Sequence, residues 1–330
     1  MKILITGGLG YVGSHVLVSL LEQNYDVAVI DNLSNSSIDT LNNVKKIISR
    51  DFNFYEVDLL NLQESAKVFK KELPNVVIHL AGLKSLSESV SFPLRYYKNN
   101  IQASFNVLEL MDLIKCKNII FSSSASVYGI PNNVPIKEDH EINPTNPYSK
   151  SKSFIESIIL DWAREEKKGI ILRFFNPVGA HSSGKIGEDT NFKATNIFPN
   201  ILKKIKNPAE EFFIYGNKYL TRDGTCERDY IHIEDLSSAH LKILSELEDL
   251  KSTEIFNIGS GKGTTVLELI DIFSSITNKK ISFEYKESRP GDVPISVASP
   301  EKIFNRIQWK TNFQITDAVK SSIHWENKKK

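Results

Sequence analysis

Tyr148 and Lys152 are the two residues whose types and spacing most directly indicate chemistry. They lie four positions apart in the stretch NPYSKSK, residues 146–152, which follows an earlier Asn-Pro turn signal. Positions i and i+4 share one face of a helix. A cation beside a phenol lowers the pKa of the phenol, so that it can exchange a proton with a substrate alcohol. The same pattern also arises at the start of a surface helix, where Tyr packs and Lys extends into solvent.

The segment FSSSASVYG favours the chemical interpretation, because it ends a predicted strand and ligands of open α/β sheets bind where strands end. Ser124 can bond the same substrate oxygen as Tyr148 and orient it. We interpret the neighbouring Ser122, Ser123 and Ser126 as ordinary turn and strand-end hydroxyls. Ser124 therefore completes a predicted catalytic group.

A second motif, TGGLGYVGSH, follows the first predicted strand and opens the first predicted helix. Gly7, Gly10 and Gly13 form the pattern GxxGxxG. Such glycines allow a tight turn, the approach of a pyrophosphate to backbone amides, and close packing of helix on strand. The phosphates would also face the partial positive charge of the helix N-terminus.

Acidic residues at the ends of the next two strands specify the nucleotide. Asp31 ends the second strand, where a carboxylate accepts hydrogen bonds from ribose hydroxyls and repels a 2′-phosphate. The following NLSNSSIDTLNNV contains no Lys or Arg. The motif therefore predicts NAD as cofactor; the alternative is a structural glycine turn with a solvated Asp cap. Asp58, after the third strand, is either an adenine contact or a helix N-cap.

The elements that must position these residues alternate regularly. Apolar runs such as KILIT, DVAVID, VVIHLAG and GIILRFFNP are separated by amphipathic segments. This order predicts an α/β fold with a Rossmann-like, doubly wound parallel sheet over residues 1–176. A smaller α/β substrate-binding domain is expected over 177–330, with contacts carried by loops. Within about 227–260, RDYIHIEDLSSAH and IFNIGSG are predicted as a helix and a strand that return to the first domain.

Composition narrows the class of protein. Lys plus Arg number 41 and Asp plus Glu 40, which argues against a nucleic-acid binder, since that needs a basic excess. No apolar run approaches the roughly 18 residues of a membrane span. The first residues, MKILITGG, have the pattern of a buried strand and not that of a signal peptide. Cys116 and Cys226 are the only cysteines, so we expect a reduced cytoplasmic protein with no disulfide frame and no metal site.

Taken together, the glycine motif, Asp31, Ser124 and the Tyr148/Lys152 pair resemble the extended short-chain dehydrogenase/reductase family. Within it, AGLKSLSESV, SSSASVYG, FFNPVGAHSSGKIGED and RDYIHIEDL resemble the UDP-glucose (UDP-galactose) 4-epimerases from residue 1 to about 325. The resemblance implies NAD-dependent 4-epimerisation of UDP-hexoses through a transient 4-keto sugar. It also implies a homodimer formed through helices near 95–115 and 148–166, although the apolar stripe of the second helix could instead face the sheet.

The resemblance assigns roles residue by residue. Tyr148 would take the proton of the 4-hydroxyl, Ser124 would steady the 4-oxygen, and Lys152 would bind the nicotinamide ribose. The implied cofactor contacts are Gly7, Gly10, Tyr11, Val12, Gly13, Asp31, Asn32, Ser34, Asp58, Leu59, Ala81, Gly82, Lys84, Asn99, Tyr148, Lys152 and Phe175. The implied UDP-sugar contacts are Lys84, Ser124, Tyr148, Asn176, Asn196, Ile197, Tyr215, Arg228, Arg289, Asp292 and Ser296.

The chain departs from the family pattern at two positions. Phe174 stands where the family often has Tyr, which would change nicotinamide contacts without removing the chemistry. Ser296 stands where some members carry a Tyr that blocks the sugar 2-position. A small residue there leaves volume for an acetamido group, so we expect activity on UDP-N-acetylglucosamine and UDP-N-acetylgalactosamine. The alternative is that Ser296 is a tolerated loop change.

Three other functions are compatible with parts of the sequence. A nucleotide-sugar 4,6-dehydratase needs an acid beside the catalytic hydroxyl, whereas Ala125 and Ser126 follow Ser124. A UDP-glucuronate decarboxylase is disfavoured by the match from FNPVGAH to GED. A non-catalytic NAD-binding scaffold shares the fold, but it has no need to retain Ser124, Tyr148 and Lys152 together.

Overall fold

A computed structural model of the chain describes residues 1–189, 196–250, 253–289 and 291–329. Its strands are β1 (Lys2–Thr6), β2 (Asp26–Asp31), β3 (Asn53–Glu56), β4 (Val76–His79), β5 (Asn118–Ser124), β6 (Lys168–Phe174), β7 (Asn176–Val178), β8 (Phe213–Tyr215), β9 (Glu227–His232), β10 (Glu254–Ile258), β11 (Gly263–Thr265), β12 (Glu284–Lys286) and β13 (Ile295–Ser296). Its helices are α1 (Tyr11–Glu22), α2 (Ile38–Ile48), α3 (Leu62–Glu72), α4 (Leu86–Ser91), α5 (Pro93–Leu113), α6 (Pro147–Trp162), α7 (Ile197–Lys206), α8 (Ile233–Ser245), α9 (Val266–Thr277), α10 (Glu301–Ile307) and α11 (Ile315–Lys328).

The chain divides into two compact units. The first contains residues 1–127, 142–174 and 237–256, and the second contains 128–141, 175–236 and 257–330. The break after Phe174 lies close to the predicted boundary at 176/177, and the segment 237–256 belongs to the first unit. Residues 128–141, which the sequence placed in the first domain, belong to the second unit.

The first unit is built on a seven-stranded sheet with the order β3-β2-β1-β4-β5-β6-β10. The pairs from β3 to β6 are all parallel, which confirms the predicted Rossmann-like fold. From β1 the chain adds β2 and β3 on one side of the sheet, and then crosses over to add β4, β5 and β6 on the other side of β1. In open α/β sheets this switch point is where ligands bind, outside the carboxyl ends of the strands. The glycine motif follows β1 at that position.

The core of the first unit explains why these segments form strands and helices. Ile3, Leu4 and Ile5 of β1 are completely buried, as are Val76, Val77 and Ile78 of β4. Continuous apolar runs of this kind are typical of parallel strands covered on both faces. Ile155 and Ile159 of α6 pack into the same core, so the apolar stripe of this helix faces the sheet in large part.

In the second unit the strand β9 is central. It pairs with β11 antiparallel and with β7 and β13 parallel. The helix predicted for RDYIHIEDLSSAH is therefore wrong in its first half, where Glu227–His232 form β9. The strand is buried on both faces, with Asp229 completely enclosed, so its sequence lacks the apolar–polar alternation of a half-exposed strand.

Four of the predicted contacts of this unit lie on strands rather than on loops. Asn176, Tyr215, Arg228 and Ser296 lie on β7, β8, β9 and β13. These strands are two to six residues long, and such short strands among turns give only a weak periodic signal. A separate core, with Phe198, Phe273 and Val319 at its centre, supports the unit.

Candidate active site

The start of α6 places Tyr148 and Lys152 on consecutive turns. Asn146 is the N-cap, and its side-chain oxygen accepts hydrogen bonds from the Ser149 backbone N–H at 2.9 Å and the Ser149 hydroxyl at 3.0 Å. Pro147 follows in the first turn, where its fixed φ suits a helix and its missing N–H costs nothing. Asn146 and Pro147 thus begin the helix immediately before Tyr148.

Lys152 is buried at the end of β5. Its Nζ donates a hydrogen bond to the carbonyl oxygen of Ser122 at 2.7 Å and lies 4.7 Å from the centroid of the Phe121 ring. Burial lowers the pKa of Lys152 to about 8, against the opposing effect of the Glu156 charge. The side chain therefore does not extend to solvent, which excludes the surface-helix interpretation for this residue.

Tyr148 is half-buried next to Ser124. Burial raises the pKa of Tyr148, while a hydrogen bond with the Ser124 hydroxyl lowers it. The Nζ of Lys152 is 6.0 Å from the centroid of the Tyr148 ring. On balance burial raises the pKa of Tyr148; the predicted lowering of that pKa by the charge of Lys152 stays a prediction. The three predicted catalytic residues nevertheless lie together.

Ser126, predicted to be a plain turn hydroxyl, is a polar neighbour of Ser124. The Oγ atoms of Ser124 and Ser126 are 2.9 Å apart, and the Ser126 backbone N–H donates to Ser124 Oγ at 3.2 Å. The short 3-10 helix at Ala125–Tyr128 makes this contact possible. The Ser124 oxygen is thus fixed at the end of β5, pointing toward Tyr148.

Asn100 was not predicted, yet it connects three elements around Lys152. Its Oδ1 accepts from the Leu83 N–H at 2.8 Å, and its Nδ2 donates to the Leu83 carbonyl and to Ser151 Oγ, both at 3.1 Å. Ser151 in turn donates to the Tyr148 carbonyl at 2.7 Å. The only sequence signal for Asn100 was a polar residue at a position of α5 that is buried. The predicted Asn99 lies half-buried beside it.

His79 forms a second buried network that was not predicted. Its Nδ1 lies 2.7 Å from Thr6 Oγ1 and its Nε2 lies 2.9 Å from Ser104 Oγ. Burial, and then the charge of Lys152, lower the pKa of His79 to about 3, so the imidazole is neutral. The network holds the end of β4, beyond which Ala81 lies against Gly7 and Gly82 lies beside Asn100.

The glycine motif has the shape that a pyrophosphate needs. Gly7 has φ +70°, and a Cβ on it would lie 2.7 Å from the backbone N and Cα of Ala81. A Cβ on Gly13 would collide with the Gly7 carbonyl oxygen. Gly10 is the N-cap of α1 and contributes no side chain to cover the helix end. This open helix N-terminus beside a close backbone approach fits the phosphates of NAD.

The residues predicted for the adenosine half of NAD lie together. Asp31 accepts from the backbone N–H groups of Leu9 and Leu33, both at 3.0 Å, which joins the glycine loop to the end of β2. Asn32 donates to Asp58 at 3.2 Å and accepts from the Ser34 hydroxyl at 2.7 Å. These hydroxyl, amide and carboxylate groups suit a ribose and an adenine edge.

The other predicted cofactor contacts are distributed over both units. The Nζ of Lys84 lies 5.9 Å from the centroid of the Tyr11 ring. Val12 is half-buried in the first turn of α1, and Leu59 is buried, with its carbonyl accepting from Asn106 at 2.7 Å. Phe175 belongs to the second unit, where its N–H donates to the Ile258 carbonyl at 3.0 Å.

Five of the eight predicted UDP-sugar contacts of the second unit fall into two groups. Arg228 and Ser296 are paired in register on β9 and β13. The Arg289 guanidinium lies 3.9 Å from the centroid of the Tyr215 ring, and the Asp292 N–H donates to the Arg289 carbonyl at 3.1 Å. A cation stacked on an aromatic ring in this way is suited to a charged, planar ligand.

The remaining three predicted contacts have structural partners of their own. The Asn176 amide donates to the Asp229 carbonyl at 3.0 Å, and the exposed Asn196 donates to Glu188 at 2.6 Å at the start of α7. Ile197 begins that helix and is half-buried. Their binding roles stay predictions.

In the described parts of the chain, no three His, Cys, Asp or Glu side chains are grouped to hold a metal ion. Among the same residues, no helix is both long and apolar enough to cross a membrane.

Comparison with known proteins gives one consistent result. The model of the NAD dependent epimerase/dehydratase family matches residues 3–259. The UDP-glucose 4-epimerase of Yersinia enterocolitica is 44% identical over 329 residues, which cover 99% of this chain and 97% of that protein. The structure of UDP-glucose 4-epimerase from Bifidobacterium longum, in complex with NAD+ and UDP, has a TM-score of 0.95 at 37% identity and covers 100% of this chain and 99% of its own. The UDP-Glc/GlcNAc 4-epimerase of Campylobacter jejuni has a TM-score of 0.85 at 33% identity, with 99% of each chain covered.

The close approach of Gly7 to Ala81 can be tested with Gly7→Ala. The added methyl group meets backbone in a left-handed conformation that alanine adopts poorly, so we expect a less stable protein that retains little NAD after purification. Gly10→Ala is the control for stability, because its Cβ would meet only the Gly7 oxygen at 3.4 Å. Thermal unfolding and the amount of nucleotide released on denaturation are the measurements. Equal melting temperatures for the two variants would contradict the role given to Gly7.

Proposed function

We infer the function of this chain from one premise: it belongs to the NAD dependent epimerase/dehydratase family. It is an NAD-dependent enzyme that interconverts UDP-hexoses at carbon 4, with UDP-glucose and UDP-galactose as the substrate pair. The observation that carries this conclusion is the cluster of Ser124, Tyr148 and the buried Lys152 at the end of β5, in a chain similar over nearly its full length to UDP-glucose 4-epimerases.

The side chains of this group divide the proton chemistry among them. Tyr148 accepts the proton of the sugar 4-hydroxyl and later returns it, with a transient 4-keto sugar between the two steps. Ser124 donates a hydrogen bond to the 4-oxygen and holds it beside the phenol. Lys152, held by the Ser122 carbonyl, binds the nicotinamide ribose and contributes positive charge. The chemistry that bound NAD supplies is acceptance and return of a hydride at carbon 4, with a further positive charge near the phenol.

Replacement of the phenol tests this assignment. Tyr148→Phe should lower the rate of UDP-galactose conversion by at least about 100-fold, since a positioned acid–base group contributes roughly 10² to 10⁴. Bound NAD and thermal stability should be unchanged, because the ring and its packing remain. Tyr25→Phe, at a half-buried position before β2, is the control and should keep full activity. Wild-type-like turnover by Tyr148→Phe would remove the basis for the mechanism.

We propose that the enzyme also acts on the N-acetylated pair, UDP-N-acetylglucosamine and UDP-N-acetylgalactosamine. Ser296 is small and half-buried, and it lies in register with Arg228, which we expect to contact the diphosphate. The similar protein from Campylobacter jejuni is named for both UDP-Glc and UDP-GlcNAc. A small side chain beside the phosphate-binding strand leaves room for the acetamido group of the sugar.

Ser296→Tyr should therefore slow turnover of UDP-N-acetylglucosamine and leave that of UDP-glucose nearly intact, because a phenol and an acetamido group cannot share one volume. Overpacking costs about 1–3 kcal/mol or more, or roughly 10-fold to 100-fold in rate. Ser296→Thr is the control and should accept both sugars. Initial rates on the four UDP-sugars measure the effect. If Ser296→Tyr slows both pairs equally, the residue does not select at the 2-position.

We also propose that the chain is a homodimer in the cytoplasm. Along α5, Leu94, Tyr97, Ile101 and Phe105 recur at helical spacing; Leu94 and Phe105 are exposed. Tyr97 is 6.5 Å from the ring of Phe154 on α6, which is also exposed. A continuous apolar stripe of this kind suits a second copy of the chain. Both cysteines are buried free thiols, in keeping with a reducing compartment.

Phe154→Lys should convert the dimer to a monomer, because it places a charge in the apolar interface. Light scattering after size-exclusion chromatography gives the mass directly. Leu220→Lys, at a nearly fully exposed position of the second unit, should keep the dimer. A wild-type mass of one chain at micromolar concentration would contradict the proposal.

A further inference from the structure

Asp229 on β9 is a buried carboxylate that the mechanism above does not use. The residue is completely enclosed, and both of its carboxylate oxygens accept hydrogen bonds. Oδ1 accepts from the backbone N–H of Ser260 at 2.7 Å and from the Ser260 hydroxyl at 2.6 Å. Oδ2 accepts from the backbone N–H groups of Gly261 at 2.9 Å and of Ala298 at 3.1 Å. One carboxylate therefore joins β9 to two other segments of the second unit.

The first of these segments is the turn at 259–261, which is the GSG of the motif IFNIGSG. A Cβ on Gly259 would lie 2.6 Å from Asp229 Oδ2, and Gly261 has φ +74°. The turn therefore closes around the carboxylate at a distance and in a conformation that favour glycine. Without the carboxylate, the backbone N–H groups that point at it would lose their acceptor, which is costly for buried groups.

The second segment follows β13, the strand that carries Ser296. Ala298 lies two residues beyond Ser296. The strand itself is only two residues long, and it pairs with β9 at two positions, with Ser296 opposite Arg228. Before it, the Glu227 N–H donates to the Pro294 carbonyl at 2.8 Å. So short a ladder specifies its register weakly, and the bond from Ala298 to the carboxylate holds it at the other end.

Asp229 is also connected to the residues that we expect to contact the UDP-sugar. Side chains alternate between the two faces of a strand, so Asp229 supports β9 from the face opposite to that of its neighbour Arg228. The Asp229 carbonyl accepts from the Asn176 amide at 3.0 Å. Three predicted substrate contacts, Asn176, Arg228 and Ser296, thus depend for their positions on bonds made by this one residue or on the strand pairing that it holds.

We propose that Asp229 is a positioning residue for the UDP-sugar, whose carboxylate holds β13 against β9 and so sets the position of Ser296 relative to Arg228. The inference rests on the proposed function, because it takes these two residues as substrate contacts. Its consequence is that the carboxylate, although enclosed and outside the reacting group, controls the affinity of the second unit for UDP.

Asp229→Asn is the test variant, because it keeps the volume but replaces one accepting oxygen by an NH₂ group that can only donate. Binding of UDP to the NAD-loaded protein, measured by isothermal titration calorimetry, should weaken by about 10-fold. The KM for UDP-galactose should rise by a similar factor. The kcat should change less, because Ser124, Tyr148 and Lys152 belong to the first unit. Deuterium exchange at the Ala298 N–H should become faster, since this group loses its acceptor.

Asp235→Asn is the matched control. Asp235 is a buried carboxylate of the same unit, and it accepts from the backbone N–H groups of Asn312 at 2.8 Å and Phe313 at 3.0 Å, just before α11. The substitution makes the same chemical change away from β13. It should lower the melting temperature and leave the affinity for UDP at the wild-type value. Equal losses of UDP affinity in the two variants, or an unchanged affinity in Asp229→Asn, overturns the proposal.

A milder variant keeps the proposal testable if Asp229→Asn does not fold. Ser260→Ala removes the hydroxyl bond to Asp229 Oδ1 and keeps the carboxylate, and it should weaken UDP binding by roughly 3-fold. Wild-type affinity in Ser260→Ala would then contradict the role of Asp229. A wild type that binds UDP but converts no UDP-hexose contradicts the proposed function, whereas an active wild type whose Asp229→Asn variant binds UDP equally well contradicts only the role of Asp229.

Discussion

The contact on which this structure depends is the hydrogen bond from the buried ammonium of Lys152 to the Ser122 carbonyl, at 2.7 Å. It places a positive charge at the carboxyl end of a central parallel strand and fixes the angle at which α6 leaves the sheet edge. The cap at Asn146 sets where that helix begins, and Asn100 and Ser151 hold its first turns from the side of α5. Because Tyr148 and Ser124 belong to the two elements so joined, their mutual position follows from this one contact.

Burial has opposite effects on the two titratable groups of the site. It lowers the pKa of Lys152 and raises the pKa of Tyr148, since each neutral form is favoured in a low-dielectric interior. A phenolate base and a charged lysine therefore need further stabilisation. Ser124 supplies part of it for the phenolate. The bound nucleotide, whose phosphates fit the glycine loop, would bring a positive ring to the same place.

Spacing along the chain predicted the parts of the site whose chemistry is local. The glycine motif, Asp31 at the end of β2 and the pair one helical turn apart were all visible in short segments. His79 and Asn100 were not, because their roles depend on partners that the fold brings together from distant positions. Much the same holds for Arg228 and Ser296: family resemblance named them, but their register across β9 and β13 appears only in the folded sheet. The strand β9 itself was misread because polar side chains such as Asp229 are buried within it.

The central claim is that Tyr148, beside Ser124 and Lys152 and with NAD bound, is a phenolate at working pH, although burial alone raises its pKa. Ultraviolet difference titration of the NAD-saturated protein measures this directly, with Tyr148→Phe identifying the signal. We predict a tyrosine that ionises well below the ordinary value of about 10, that is absent in Tyr148→Phe, and that moves up in Lys152→Met. A Tyr148 that ionises at or above about 10 with NAD bound would contradict the account.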